Sequence, residues 1–186
     1  ALVSALTIFA FSISDSLNAA IDRVVGAEFI VANSAQRPFP STIADSIEEL
    51  DDAAVVARTT FAPAQVSGEQ IATTDTFVSG VDTESISDVL NLEFSEGTLA
   101  DLDDATVLLH STTATNNDLT VGDQVTLTFS TGEEQFEVAG IYEPAGFFSG
   151  YIVTTQALVE AGLTGGDTFV YVKAAEGADL DALRAS

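Results

Sequence analysis

The chain has 186 residues, 46% of them apolar, which is enough for a real hydrophobic core and argues against disorder. Five Lys plus Arg face 29 Asp plus Glu, a formal net charge of −24. Such a surface repels nucleic-acid phosphate and anionic lipid headgroups, so nucleic-acid binding is disfavoured and any membrane attachment must be hydrophobic. Cysteine is absent, which removes disulfides, thiolate catalysis and Cys-ligated metals. Methionine is absent too, even at position 1, so the natural chain is expected to begin earlier.

Ala1–Ser14 carries no charge, and Leu2, Leu6, Phe9, Ile13, Leu17, Ile21 and Val24 follow at spacings of three and four residues. That is a helical stripe. A full membrane span needs about 20 apolar residues, and this run reaches Asp15 sooner. A signal-peptide core lacks its basic flank here. An ordinary core helix remains open, but a stripe continuing across the change from apolar to charged favours the outer part of a membrane helix prolonged as a stalk. Gly26 would follow its last turn.

"AEFIVAN" (27–33) reads as a buried strand and "QRPFP" (36–40) as a loop. Ser41 is placed to cap a helix through "TIADSIEELDD". Two strands joined near Ser67-Gly68 follow, with Pro63 marking an edge or bulge. Beyond Asp82 a short helix around Ile86–Leu90 leads to an acidic loop, a strand Thr106–His110 and a polar helix or loop. Val121, Val125, Leu127 and Phe129 then alternate with polar residues, and Phe136, Val138 and Ile141 return after a Thr-Gly-Glu turn: a hairpin with one buried face. The tail reads strand (151–153), helix (155–161), strand (168–173) and a last helix from about Ala178.

The expected fold is α+β: a porter-like split α/β subdomain of βαβ-type units with an inserted small β-rich α/β subdomain. The expected division is a membrane-helix end and stalk at 1–25, a first porter-like part at 26–81, the inserted subdomain at 82–149, and the return part with an exit helix at 150–186. Helices at both ends suit a domain placed between two membrane spans.

Chemistry is sparse. His110 is the one histidine, and no G-x-S-x-G elbow accompanies it, so a structural role is favoured. "EELDDAA" and "ADLDDAT" lack the order of a calcium loop, so no metal site is assigned. There is no G-x-x-x-x-G-K-[ST] phosphate loop and no tryptophan to stack on sugar. No catalytic or cofactor-binding residue is therefore named. In "EPAGFFSGY", Phe147, Phe148 and Tyr151 sit among Gly and Pro just after the hairpin. They are candidates for partner or ligand contact, or else cover the junction between subdomains.

Taken in order, "IDRVVGAEFIVAN", "ELDDAAVVA", "GVDTESISDVLNLEFSEGTL", "LTVGDQVTLTF", "FEVAGIYE" and "YIVTTQAL" span nearly the whole chain. Together they resemble the extracytoplasmic, MacB-like periplasmic core domain of FtsX-like ABC transporter permeases. Asp118 stands where that family usually has Gly before the Leu of its "VGD" turn. The resemblance implies a permease of four transmembrane helices, with this domain between the first and second on the extracytoplasmic side of the cell membrane. It implies pairing with a second permease protomer, attachment to the membrane through flanking spans, and a cytoplasmic ATP-binding subunit that uses ATP and Mg. The domain would relay ATP-driven motion to an unidentified substrate. Leu6, Phe9, Ile13, Leu17, Ile21 and Val24 would be the stalk residues that couple it. A single-anchor ligand-binding or adhesive module, and a secreted hydrolase, are the alternatives.

Overall fold

A computed structural model describes residues 26–33, 37–69, 71–143, 148, 150–163 and 165–185. Helix 1–25 of the sequence reading, and with it every stalk residue, lies outside this range.

The apolar stretch 29–32 forms β1 (Phe29–Ala32). Next comes α1 (Thr42–Glu48), shorter than expected. Ser41 occupies its N-cap, but its hydroxyl makes no capping bond and is bound instead by the Asp167 carboxylate. A long strand β2 (Ala53–Ser67) turns back into β3 (Thr74–Val81). Asp82 caps α2 (Thr83–Val89) by accepting from the Glu84 amide at 2.9 Å, so this helix starts earlier than its apolar residues suggested. The acidic loop holds a short strand, β4 (Phe94–Glu96), which was not anticipated, and a 3-10 turn whose Thr98 and Asp101 bond reciprocally. Strand β5 (Thr106–His110) leads into α3 (Ser111–Asn116). The expected hairpin is β6 (Gln124–Phe129) and β7 (Gly132–Tyr142). The tail gives β8 (Tyr151–Thr154), α4 (Thr155–Glu160), β9 (Phe169–Ala174) and α5 (Leu180–Ala185).

All nine strands join one mixed sheet, ordered β1-β9-β2-β3-β8-β5-β7-β4, with β6 pairing both β2 and β7. Those last two pairings close a ring, β2-β3-β8-β5-β7-β6, into a small barrel. Its interior is filled by alternate residues such as Val66, Val78, Leu109, Leu127, Phe136 and Val153. Ala114 on α3 and Leu158 on α4 join the same core. Ladders β2–β6 and β5–β8 link the 82–149 stretch to its flanks.

The first part of the sheet is layered differently. Strand β9 reads "FVYV" without alternation because both faces are covered. Val170 and Val172 meet Ala44 and Phe39 on the α1 side, whereas Phe169 and Tyr171 meet Ile86 and Val89 of α2. Strand β2 runs through both parts. Its first half pairs with β9 up to Thr59 and its end with β6 from Gln65. Pro63 falls in the gap between, where its missing N–H costs no ladder bond on that side.

Two details of the hairpin follow from backbone chemistry. The alternation breaks at Ala139-Gly140 because β7 bulges against β5, moving from Val107↔Val138 to Leu108↔Gly140. A Cβ at Gly140 would press on the Glu96 carbonyl and the Leu108 side chain. Val121, expected on the buried face, is 43% exposed because it lies in the turn before β6.

Candidate functional site

Where the described chain enters and leaves, the sheet is tied by a compact set of bonds. Gly26 donates from its amide to the Val89 carbonyl at 2.7 Å, joining the entry to the last turn of α2. The Glu28 amide donates to the Val172 carbonyl at 3.1 Å. In return the Ala174 amide donates to Glu28 Oε2 at 2.7 Å. Lys173 Nζ reaches the Asp88 carbonyl at 3.2 Å, and the Ala175 amide reaches the Asp52 carbonyl at 2.8 Å. Entry, exit, the end of α2 and the start of β2 thus share one end of the sheet. Leu6, Phe9, Ile13, Leu17, Ile21 and Val24, expected from the sequence to form the stalk, all lie outside the described residues.

The aromatic candidates sit elsewhere. Register along β2 places Ala53 beside Ala174, and Ala62 beside Val78, which faces Tyr151. Nine strand positions separate the two levels, roughly 30 Å at about 3.3 Å per residue. Tyr151 is 4% exposed and belongs to the barrel core, where burial raises its phenol pKa. Phe148 is half-buried against the cluster that contains Leu90 and Tyr142. Phe147 lies outside the described residues. The sequence grouped the three rings around one loop while also starting a strand at Tyr151; the structure bears out the strand and buries Tyr151 in it, so Tyr151 offers no partner-contact surface.

His110 has a structural post. Its Nδ1 accepts from the Thr112 amide at 3.2 Å, capping α3, and its ring stands edge-on to Tyr142 with centroids 5.5 Å apart. The second acidic run is engaged in local bonding: Asp101 accepts from the Thr98 amide, Asp103 from the Ala105 amide, and Asp104 from the Thr154 hydroxyl. Among the described residues, no three His, Asp or Glu side chains gather as a metal site.

One charged cluster escaped the sequence reading. Arg58 on β2 donates to Asp45 at 2.8 Å and to Glu48 at 2.6 Å, both on α1. Burial acts to lower the Arg58 pKa, but Glu48 and Asp45 outweigh it and raise it. Behind them Asp167 is 5% exposed, and its Oδ2 has no hydrogen bond to a described residue. Burial pushes the Asp167 pKa up; Arg58 and Ser41 pull it down, and Asp45 and Glu48 add to the rise. The Phe39 and Asp167 backbones bond reciprocally at 2.9 Å, so the cluster pins the 37–41 loop to the sheet. No nucleophile–base pair is formed by these groups.

The model of the MacB-like periplasmic core domain family matches residues 1–186. None of the curated proteins compared with the chain matches it. Solved structures share its fold. The extracellular domain of the noncanonic ABC-type transporter YknZ from Gram-positive bacteria is 15% identical, with a TM-score of 0.61 over 78% of each chain. The periplasmic region of MacB from Actinobacillus actinomycetemcomitans is 14% identical, with a TM-score of 0.59 over 80% of this chain and 71% of that one.

Proposed function

The chain belongs to the MacB-like periplasmic core domain family, and from that premise we propose that it is the extracytoplasmic domain of an ABC transporter permease that relays motion of the membrane helices outward. The observation that carries this reading is the bonding of entry to exit at one end of the sheet, through Glu28 with Val172 and Ala174, while Gly26 ties the entry to the end of α2 at Val89. Two connections leaving by the same end suit a domain inserted between consecutive membrane spans. A rigid sheet held at that end transmits a displacement because packed strands move as a body rather than deform. The division into a porter-like part (26–81 and 150–186) and an inserted part (82–149) belongs to this reading, with β2 and the barrel ladders as the link between them.

The working partners are a second permease protomer and a cytoplasmic ATPase subunit that binds ATP and Mg; the membrane is reached through flanking spans. The chain itself acts as a transducer rather than an enzyme: its histidine caps a helix, and its bonded carboxylates shape loops. The test is Leu17→Asp or Ile21→Asp in the complete permease. Stimulated ATPase activity or export is expected to fall while the domain stays folded by circular dichroism. Unchanged transport would remove the stalk from the mechanism.

A further inference from the structure

A groove of about 510 Å³ runs along α2, between that helix and the stretch from β4 to the 3-10 turn. Glu84, Ser87 and Leu90 form one wall, at the spacing of a single helical face. Leu92, Phe94 and Leu99 form the other. These three are half-buried, so each still offers apolar surface to solvent. Behind them the wall is closed by the fully buried Ile86, Val89 and Tyr142.

The described residues start beside this groove. The Gly26 amide is bonded to the Val89 carbonyl, next to the groove wall at Leu90. Ala27 packs on the same apolar cluster as Leu92, Phe94 and Leu99. The residues just before Gly26 are therefore held near the groove by the chain itself. So short a tether gives an effective concentration on the order of a millimolar, and contacts too weak to hold a free partner suffice. The preceding sequence has matching chemistry. Leu17, Ile21 and Val24 share one helical stripe. That stripe spans roughly 10 Å at about 1.5 Å per residue, close to the length of α2. Arg23 is the one cation among residues 1–25. Glu84 and Asp88 lie one turn apart on the exposed side of α2, and among the described residues both ion pairs belong to Arg58 instead.

We propose that this groove is the docking site of the chain's own segment 17–25, with Ile21 and Val24 on Leu92, Phe94 and Leu99 and Arg23 beside Glu84. The tether brings the segment to the groove, the apolar walls hold it, and the charge pair sets its register. For its use, though not for the contact itself, the inference rests on the permease reading. Displacement of the stalk would be delivered to α2 along its length as well as through the Gly26–Val89 bond.

The experiment is disulfide trapping in the complete protein in its membrane, helped by the absence of cysteine from this chain. Two pairs probe the groove: Val24→Cys with Leu92→Cys, and Ile21→Cys with Leu99→Cys. Val24→Cys with Phe77→Cys, an exposed position on the barrel, sets the background. Both groove pairs should exceed it about tenfold within one chain, since a disulfide needs Cα atoms within about 7 Å. Ser87→Trp fills the groove from an exposed position and should return both pairs towards background. Arg23→Glu should lower the yield about two- to fivefold, as one exposed ion pair allows, and Glu84→Arg should restore it. Groove pairs at background would overturn the proposal. Disulfides joining two copies would overturn it too, by making a second chain the occupant. Export read beside the trapping separates this inference from the permease reading. Loss of export in Leu17→Asp with groove pairs at background keeps the relay and overturns the docking. Trapped groove pairs with export indifferent to Leu17→Asp keep the docking and remove the relay.

Discussion

The amide of Ala174, at the end of β9, donates to the Glu28 carboxylate at 2.7 Å, so the last strand of the sheet is bonded to the residue that opens the first. Glu28 and Ala174 lie 146 positions apart in the chain, and this contact fixes how the two connections leave the domain.

Glu28→Ala removes that acceptor while leaving the β1–β9 ladder. Because Glu28 is exposed, the expected loss of stability is modest, about 1 kcal/mol, read from urea unfolding at an unchanged m-value. Glu28→Gln, which retains an acceptor oxygen, should recover most of it. In a complete permease Glu28→Ala should lower coupling more than its stability cost explains.

Asp167 makes stability depend on pH. Its folded-state pKa is raised by burial above the ordinary value of 3.8, so the folded state binds the proton more readily than the unfolded chain. The cost of ionising it is complete above the raised folded value and disappears below the ordinary one. Asp167→Asn should therefore stabilise the protein at neutral pH, and the gap to wild type should close as pH falls through that window. Arg58, Asp45, Glu48 and Ser41 surround the group in both proteins, so the comparison isolates the Asp167 proton. A gap that widened on acidification would contradict the assignment.

Gly97 and Gly177 separate backbone conformation from packing. Both have positive φ, 70° and 82°. A Cβ at Gly177 meets nothing within 4 Å, whereas one at Gly97 collides with the Ala139 carbonyl. Gly177→Ala should cost about 1 kcal/mol. Gly97→Ala should cost about 2–4 kcal/mol, adding overpacking to the same conformational term. It should also loosen β4, visible as faster amide exchange at Glu96.

Tyr151 and Phe148 differ in burial, and their alanine variants should differ accordingly. Tyr151→Ala empties a site in the barrel and should cost about 3–5 kcal/mol. Phe148→Ala removes a half-buried ring and should cost about 1–2 kcal/mol. Thermal unfolding ranks them, and a larger loss for Phe148 would reverse the placement of the two rings.

Local signals in the chain carried most of the elements. The alternation of Val125, Leu127 and Phe129 and the punctuation by Gly each act within a few residues, and the corresponding strands and turns are present, whereas the cap at Asp82 went unread and α2 was expected to start later. The Gly usual in the family at the position of Asp118 also makes sense once its left-handed backbone is seen. What could not be read was non-local. The β2–β6 and β5–β8 ladders that close the barrel join segments tens of residues apart, and hydropathy does not encode such partners. Strand β4 was hidden because its "FSE" is short, exposed at Ser95 and Glu96, and defined by pairing with β7 alone. Tyr151 was misleading for the same reason: its burial depends on the strands Val78 and Leu109 that flank it. The Arg58 cluster was invisible because its carboxylates come from α1 and from Asp167 just before β9, brought together by the sheet alone.

The most direct test of the account is the topology of the full reading frame, mapped with reporter fusions on both sides of this domain. The account predicts a membrane span completed before Ala1, further spans after Ser186, and the domain itself outside. A single anchor followed by a stop would contradict it and leave the tied entry and exit as a feature of a tethered binding module.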